Sequence, residues 1–228
     1  MLKMPTLEEM LKSGVHFGHQ SSKWHPKMKP FIFTEKNGVH VINLEETQKQ
    51  LEKALEYVRE TVSAGGTVLF VGTKTQAKDI VHDAAVDCGA PFIVSRWLGG
   101  TLTNSPSVLG LAKKLRKMKE EKASGELSKY TKKEQLQITR EIVRLDEVVG
   151  GIEKMEKIPD VIFIVDIKTE KTAVEEALRR GVPVIAICDT NVNPDLVTLP
   201  IPANDDASNS IRLITNLIAA AVKDAKEK

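Results

Sequence analysis

Three short runs of uninterrupted apolar residues constrain the fold of this chain more than any other feature. They are VLFV after Thr67, VIFIV after Asp160 and VIAIC after Pro183, and a helical pattern follows each of the first two. Strands that are apolar on both faces are typical of parallel sheets that helices cover on both sides. The sequence therefore predicts an α/β fold with a doubly wound, mostly parallel sheet of the Rossmann or flavodoxin-like kind. PFIVS at 91–95 is expected to add a further strand.

Turn and capping residues predict where the other elements begin and end. Thr6 is a suitable N-cap for a short helix at 6–13, and a polar loop is expected at 18–30. An Asn-Gly turn between FIF and VHVI favours a β-hairpin. Longer helices are predicted at 44–64, 76–88, 171–180 and about 207–226.

A second apolar pattern lies between the strands at 91–95 and 161–166. It does not fit the alternation of strands and helices in the predicted α/β domain. Apolar residues recur there at intervals of three and four, in two stretches separated by a polar loop: Val108, Leu111, Leu115 and Met118, then Ile138, Ile142, Leu145, Val149 and Ile152. Two such stripes predict an antiparallel coiled-coil hairpin. We therefore expect a discontinuous globular domain at 1–106 and 158–228, with the hairpin inserted at 107–157. The hairpin is either a solvated appendage or an arm that docks a protein.

The net charge of +2 conceals two local excesses of positive charge. Residues 1–40 hold six lysines against three glutamates, and residues 111–157 hold thirteen Lys and Arg against nine Asp and Glu. Local basic surfaces of this kind predict a polyanionic partner. The N-terminal residues lack the apolar core of a signal peptide, and no apolar run approaches the length of about 20 residues that spans a bilayer. We therefore expect a cytoplasmic protein without a membrane partner, in which Cys88 and Cys188 are reduced.

The turn after the first main strand argues against a nucleotide-binding enzyme. Gly72 is followed by Thr73-Lys74-Thr75-Gln76, whereas dinucleotide and P-loop sites need further glycines to close the backbone around phosphates. One interpretation is a single phosphate at the N-terminus of the next helix, bound with the help of Lys74. The other is that Gly72 makes the turn and a threonine caps the helix. The rival enzyme hypothesis places Lys74, Asp166 and Asp189 in a phosphate-binding crevice.

A histidine and two aspartates form a candidate metal site if their loops converge. His19 follows the first helix, Asp189 ends a predicted strand and Asp205 precedes the last helix. Imidazole and carboxylate groups bind zinc, and carboxylates bind magnesium. Structural roles are the alternative, because Asp205 can cap the last helix and Asp189 can fix its own turn. We expect no required cofactor, and the hypothesis for this site is a bound zinc or magnesium ion.

The most specific stretch is SRWLGGTLTN at 95–104, in which two adjacent glycines allow a close approach of backbones. Together with GVHFGHQ, WHPKMKPFIF, FVGTK, DTN and PANDDA, it closely resembles the bacterial small-subunit ribosomal protein S-two family, the universal uS-two family. The resemblance extends from Met4 to the C-terminus and includes the inserted hairpin.

The resemblance implies a structural constituent of the small ribosomal subunit that supports translation and is not an enzyme. Proteins of this family bind 16S rRNA near the head–body junction and contact other small-subunit proteins. The resemblance also implies that the chain docks the messenger-binding ribosomal protein S-one. It further implies a cytoplasmic location in the ribosome, and no homo-oligomer is expected.

Ribosomal RNA presents phosphates and exposed bases, so lysine and arginine with interleaved aromatic residues suit its recognition. On that basis, ten residues in three segments are predicted to contact 16S rRNA: Lys23, Trp24, His25, Lys27 and Lys29; Arg96, Trp97, Thr103 and Asn104; and Lys74. Two alternatives remain open. In the first, the segment that holds Lys23 is a solvated basic loop and Trp24 is tucked into the core. In the second, Trp97 belongs to the core, because an apolar residue follows it.

Overall fold

The computed structural model describes residues 4–227; residues 1–3 and 228, which the predicted domain bounds include, lie outside that range. The first element is helix α1, Leu7–Lys12, and Thr6 is its N-cap as predicted. The Thr6 hydroxyl accepts a hydrogen bond from the Glu9 N–H at 3.2 Å, and the Glu9 carboxylate accepts one from the Thr6 N–H at 2.7 Å. This reciprocal capping box satisfies backbone donors that a short helix cannot satisfy internally.

A small antiparallel sheet follows, with three strands: β1 Phe17–Gln20, β2 Ile32–Lys36 and β3 Val39–Ile42. The order of the strands in this sheet is β1-β3-β2. Asn37 and Gly38 connect β2 to β3 with φ angles of 55° and 74°, as a two-residue type I′ turn requires. The predicted hairpin is therefore confirmed.

The segment at 18–30 is more ordered than the predicted polar loop. Its first residues belong to β1, which pairs with β3 through the backbone, and 3-10 turns at 21–23 and 26–31 complete the segment. The sequence of β1, FGHQ, contains no β-branched residue, so its composition carries little strand signal. The prediction was wrong for β1 because the pairing depends on the partner strand.

Five further strands form a second sheet: β4 Val68–Val71, β5 Phe92–Ile93, β6 Val161–Ile164, β7 Val184–Cys188 and β8 Leu199–Pro202. All neighbouring pairs are parallel, and their order is β5-β4-β6-β7-β8. This is the flavodoxin-like arrangement, in which the direction of winding reverses between β4 and β6. The predicted doubly wound α/β fold class is confirmed.

Helices cover both faces of the parallel sheet: α2 Leu44–Ser63, α3 Lys78–Asp87, α4 Ser105–Ala123, α5 Lys132–Val149, α6 Lys171–Arg180 and α7 Ser208–Lys226. Strand β4 shows how the two faces are filled. Val68 and Phe70 belong to a buried cluster with α2, α3 and α7, whereas Leu69 and Val71 belong to a cluster with α4, α5 and α6. Because both faces are covered, the strand is an apolar run rather than an alternating pattern.

Two strands of the parallel sheet differ from the prediction. Of PFIVS, only Phe92 and Ile93 pair, because the chain leaves the sheet directly after them. Strand β8 was not predicted, since Pro200 and Pro202 make its sequence resemble a loop. Proline cannot donate a ladder hydrogen bond and is tolerated on an edge strand, and β8 lies at the edge of the sheet beside β7.

Helices α4 and α5 pack against each other, as the inserted hairpin requires. Leu115 and Ile142 of the predicted stripes are buried in one cluster. Leu111 was placed wrongly, because it is exposed and Ala112 is buried in its place. The buried side of α4 therefore follows 108, 112 and 115, a helical spacing of four and three instead of three and four. The coiled-coil geometry and the domain bounds stay predictions.

Along residues 4–227, no helix combines the length and the apolar character that crossing a membrane requires. Cys88 and Cys188 are both buried and form no disulfide. Cys188 lies in the core at the end of β7.

Candidate nucleic-acid interface

The first group of predicted RNA-binding residues lies in residues 21–31, which we call the basic loop. The His25 N–H donates to the Thr190 carbonyl at 2.8 Å, so the loop is held beside the carboxyl end of β7. Met28 is fully buried and anchors the loop in the core. The carboxyl edge is where doubly wound folds bind their ligands. The basic loop is therefore an ordered segment at the functional edge of the sheet.

Three lysines of the basic loop extend into solvent. Lys23, Lys27 and Lys29 are all exposed. Lys27 forms an ion pair with Asp195, and among residues 4–227 no carboxylate lies within 4.0 Å of the ammonium groups of Lys23 and Lys29. An exposed ion pair contributes only about 0–1 kcal/mol, so Lys27 can exchange its partner for a phosphate.

The two aromatic residues of the basic loop have different environments. Trp24 is exposed and lies near His40, with ring centroids 5.4 Å apart. The alternative that Trp24 is tucked into the core is therefore wrong. His25 is partly buried, and its Nδ1 accepts a hydrogen bond from the Lys27 N–H at 3.2 Å. His25 orders the loop, whereas Trp24 offers an exposed ring on which a base can stack.

The second group lies in residues 95–104, and a buried carboxylate from α6 organises this loop. One oxygen of Glu176 accepts hydrogen bonds from the indole N–H of Trp97 at 3.1 Å and from the Gly100 N–H at 2.7 Å. The other oxygen accepts from the N–H groups of Leu102 and Thr103 and from the Thr103 hydroxyl, each at 3.0 Å. Gly100 has a φ of 94°, which favours glycine, and its turn wraps the chain around the carboxylate.

Trp97 is a core residue. It is 8% exposed, and its indole N–H is bonded to Glu176. The core alternative is therefore right, and an RNA contact of Trp97 stays a prediction that this burial disfavours. Thr103 is exposed, but its hydroxyl is also engaged by Glu176. Of this group, Arg96 and Asn104 are the exposed residues whose side chains Glu176 does not hold.

Sequence reasoning missed Glu176. The available signal was an acidic residue on the apolar side of a helix, because Ala173 and Ala177 on the same side are buried. Burial raises the pKa of Glu176, but hydrogen bonds from Thr103, Gly100 and other donors lower it more, so the net shift of this pKa is downward. The carboxylate is therefore charged at neutral pH.

Lys74 lies in the crevice between the carboxyl ends of β4 and β6, where the winding reverses. Its ammonium lies 3.3 Å from Asp166, 2.9 Å from Asp205 and 2.7 Å from Asp206. The side chain is 16% exposed. Three carboxylates already enclose this charge, so the RNA contact of Lys74 stays a prediction that the structure disfavours. Charged side chains of the protein itself therefore fill the crevice in which related folds hold a ligand.

We call Lys74, Asp166, Asp205 and Asp206 the ion cluster. Its environment shifts the pKa values of Asp205 and Asp166 in opposite directions. Burial and the charges of Asp166 and Asp189 raise the pKa of Asp205 to about 7, although Lys74 opposes the shift. Burial also raises the pKa of Asp166, but hydrogen bonds from Thr169 outweigh it, so the net shift is downward. Burial lowers the pKa of Lys74, yet the surrounding aspartates raise it more. Lys74 is therefore the fixed positive charge of the cluster.

His19 lies at the rim of the ion cluster. Its Nδ1 lies 3.0 Å from an oxygen of Asp189, and its Nε2 lies 3.5 Å from an oxygen of Asp206. His19, Asp205 and Asp206 each offer one ligand atom, and these atoms lie within 4.8 Å of one another. The group that the structure brings together therefore contains Asp206 where the sequence predicted Asp189, and metal binding stays a prediction. Asp189 instead contacts the other ring nitrogen, as the outer partner of a metal-bound histidine does.

The structural alternatives for the two aspartates have different outcomes. The side chain of Asn204, not that of Asp205, accepts hydrogen bonds from two backbone N–H groups ahead of α7, at 2.8 and 2.9 Å. The alternative that Asp205 caps the last helix is therefore wrong. Asp189 accepts hydrogen bonds from the N–H and the hydroxyl of Thr190, so it does fix its own turn. That role leaves its second oxygen for His19.

Comparison with known proteins identifies the family. The family described as Ribosomal protein S2 matches residues 10–225. The chain is 51% identical to the small ribosomal subunit protein uS2 of Salinispora arenicola, over 96% of this chain and 79% of that protein. It is 48% identical to the protein of the same name from Dehalococcoides mccartyi, with coverages of 98% and 92%. The corresponding protein of Coprothermobacter proteolyticus is 45% identical, with coverages of 97% and 83%. The chain therefore belongs to the ribosomal protein S2 family: it is a structural, non-enzymatic protein of the small ribosomal subunit and acts in the cytoplasm as part of the ribosome.

Proposed function

We propose that this chain binds 16S rRNA near the head–body junction of the small subunit, with the basic loop as its principal RNA contact. The observation that carries the proposal is the clustering of Lys23, Lys27 and Lys29 in one exposed, anchored loop. Lysines that neutralise phosphates release bound counterions, which is a large part of the affinity of proteins for nucleic acids. Trp24 adds an aromatic face for an unpaired base, and His25 keeps the loop ordered.

Arg96 and Asn104 form the second part of the proposed RNA surface. Both are exposed, and they stand at the two ends of the loop that Glu176 organises. A loop that is already ordered loses less conformational entropy when it binds. The planar guanidinium of Arg96 suits a phosphate, and the amide of Asn104 suits a sugar hydroxyl. In this proposal Trp97 and Thr103 position the loop and do not meet the RNA.

Replacing Lys23, Lys27 and Lys29 together with alanine is expected to weaken binding to a 16S rRNA transcript about ten- to hundredfold at low salt. The slope of log affinity against log salt concentration is expected to flatten by about two, because roughly two to three phosphate contacts are lost. Filter binding over a series of salt concentrations measures both quantities.

The matched control is a triple alanine variant at Lys49, Lys53 and Lys223, which removes the same charge from α2 and α7. Lys49 and Lys223 are ion-paired at the surface, as Lys27 is. Equal affinity of the basic-loop variant and the parent would contradict the assignment. So would an equal loss in the control, since the effect would then follow from net charge.

Docking of the messenger-binding ribosomal protein S-one is a further part of the proposal. Its support is a set of exposed apolar side chains. Phe33 of β2 is 71% exposed, Phe17 of β1 is also exposed, and Leu136 and Val143 are exposed on α5 of the hairpin. Exposed apolar patches on ordered elements are typical of protein-contact sites. Small subunits reconstituted without this chain are expected to retain less S-one when the subunits and bound S-one are sedimented together.

The proposal includes a zinc or magnesium ion held by His19, Asp205 and Asp206. The support is the convergence of one imidazole nitrogen and two carboxylate oxygens, together with Asp189, which orients the imidazole. A nitrogen ligand suits zinc better than magnesium, which prefers oxygen ligands. The ion would tie the small sheet to the start of α7, so its role would be structural.

The purified chain is expected to retain about one metal ion after dialysis, whereas His19→Ala is expected to retain much less. Elemental analysis of both proteins measures the difference and identifies the metal. His82→Ala is the matched control, because His82 is an exposed histidine beside an aspartate on α3. Equal metal contents in the parent and His19→Ala would reject the site.

A further inference from the structure

A cavity of about 640 Å³ opens at the amino edge of the parallel sheet, opposite the edge that carries the basic loop. It lies where the chain enters β4 and β5, between the segment after α5 and the end of α7. Val86, Phe92 and Met155 contribute apolar surface to its wall. Val86 is 56% exposed, which is a large exposure for an apolar side chain. The volume falls within the range of about 300–1,000 Å³ that is usual for ligand sites.

A cleft of about 410 Å³ adjoins the cavity and shares Glu156 and Lys157 with it. Its walls are the first turns of α4, which include Lys113, and the last residue of α6, Arg180. The cavity and the cleft are neighbours through Glu156 and Lys157, and we call the pair the amino-edge groove. This groove runs from the end of α7 to the base of the hairpin.

Positive charge dominates the amino-edge groove. Five cations and two carboxylates line it: Lys113, Lys154, Lys157, Arg180 and Lys226, with Glu153 and Glu156. Glu153 pairs with Lys119 at 2.6 Å, Lys157 pairs with Asp160, and Lys226 donates to backbone carbonyls. Within residues 4–227, no carboxylate lies within 4.0 Å of the charged groups of Lys113, Lys154 or Arg180. These three charges are therefore unneutralised and suit an anionic ligand.

We propose that the amino-edge groove binds an unstacked nucleotide of ribosomal RNA, whose base enters the apolar cavity and whose phosphates contact Lys113, Lys154 and Arg180. An unstacked nucleotide combines a flat apolar base with an anionic backbone, and the groove combines an apolar wall with a cationic rim. RNA is also the anion that the proposed function already brings to this protein. The inference therefore rests on that function and adds a second contact to it.

The groove and the basic loop are too far apart to hold the same phosphate. Strands β4 and β6 are four residues long, so the two edges of the sheet are separated by about 13 Å. The protein consequently holds two separate segments of RNA, one at each edge of the sheet. A protein with two such contacts fixes the relative position of the RNA segments that it binds.

Two variants test the two halves of the groove. Lys113→Gln with Arg180→Gln is expected to weaken binding to a 16S rRNA transcript about tenfold and to flatten the salt slope by about two. Val86→Trp fills the cavity from an exposed position and is expected to weaken binding about fivefold with the salt slope unchanged, because it removes a base contact. The charge control is Lys53→Gln with Arg212→Gln, at two exposed residues of α2 and α7.

Filter binding with these variants separates the groove from the basic loop. If either groove variant binds RNA as tightly as the parent, the groove proposal is overturned, and the basic-loop variant then decides separately whether the proposed function stands. If both groove variants lose more RNA affinity than the control, the groove proposal is supported, whatever the RNA affinity of the basic-loop variant. A polyglutamate peptide is the second probe. If the charge variant loses binding to the peptide and keeps full RNA affinity, the partner is an acidic protein segment and the RNA assignment is overturned.

Discussion

Replacing Glu176 with alanine is expected to lower the free energy of unfolding by about 3 kcal/mol at neutral pH. The carboxylate accepts five hydrogen bonds, from Trp97, Gly100, Leu102 and Thr103. A hydrogen bond to a charged group contributes about 1.5–3 kcal/mol, and a buried donor left without a partner costs about 1–3 kcal/mol. Some of these donors will bond to water in the variant. The loss of unfolding free energy is therefore smaller than the sum of the separate hydrogen-bond contributions. Urea denaturation measures the loss.

The stability difference between the parent and Glu176→Ala is expected to shrink in acid. In the folded chain the pKa of Glu176 lies below its ordinary value. Its stabilising effect is therefore fully present above the unfolded pKa of about 4.3 and is lost as the pH falls through the lower, folded pKa. Denaturation curves at neutral pH and in the acid range below that value measure the change.

Glu175→Ala is the matched control for this experiment. Glu175 precedes Glu176 on α6, is half-exposed, and makes a surface ion pair with Lys171 at 3.7 Å. Its replacement is expected to change the free energy of unfolding by no more than about 0.5 kcal/mol. Equal losses in the two variants, or a loss in Glu176→Ala that persists in acid, would contradict the organising role of the buried carboxylate.

Replacing Lys74 with methionine is expected to lower the free energy of unfolding by about 3 kcal/mol. Methionine keeps the length and the apolar stem of the side chain but removes the charge that lies between Asp166, Asp205 and Asp206. Breaking a buried ion pair by removing one partner is costly, because the carboxyl groups of Asp166 and Asp205 stay buried without it. Urea denaturation in a buffer with a chelator measures the loss without a contribution from bound metal.

Lys53→Met is the control for the Lys74 variant. Lys53 is exposed on α2, and among residues 4–227 no carboxylate lies within 4.0 Å of its ammonium. Its replacement is expected to have an effect within about 0.5 kcal/mol. If Lys74→Met were as stable as this control, the ion cluster would make no net contribution to folding.

The ion cluster also explains how a fold that often carries enzymes serves as a structural protein here. In a doubly wound sheet, the crevice between β4 and β6 is the usual place for a ligand. Here Lys74 reaches across the crevice to Asp166 and Asp205. A nucleotide phosphate would have to displace those carboxylates and would meet the repulsion of their charges. The crevice is therefore already filled by the charged side chains of the protein itself.

The sequence was sufficient to predict most of the fold. Apolar runs such as β4 and β7, the Thr6 N-cap of α1 and the Asn37-Gly38 turn were all recognised, because each signal depends on residues close together in the chain. Motifs such as SRWLGGTLTN also identified the family, and the location of the basic loop was a further inference from local composition.

The functions of single residues depended on partners far away in the chain. Trp97 and Lys74 were both predicted to contact RNA, and the structure pairs them with Glu176 and Asp205, which lie 79 and 131 positions further along the chain. Nothing in the local sequence distinguishes a tryptophan that stacks on a base from one that donates to a buried carboxylate. That distinction follows from burial and charge, which arise only when the two segments pack together. Local patterns thus established the fold and the family, and the packed chain established that Trp97 and Lys74 hold the structure together, whereas Lys23, Lys29 and Arg96 are exposed and available to a partner.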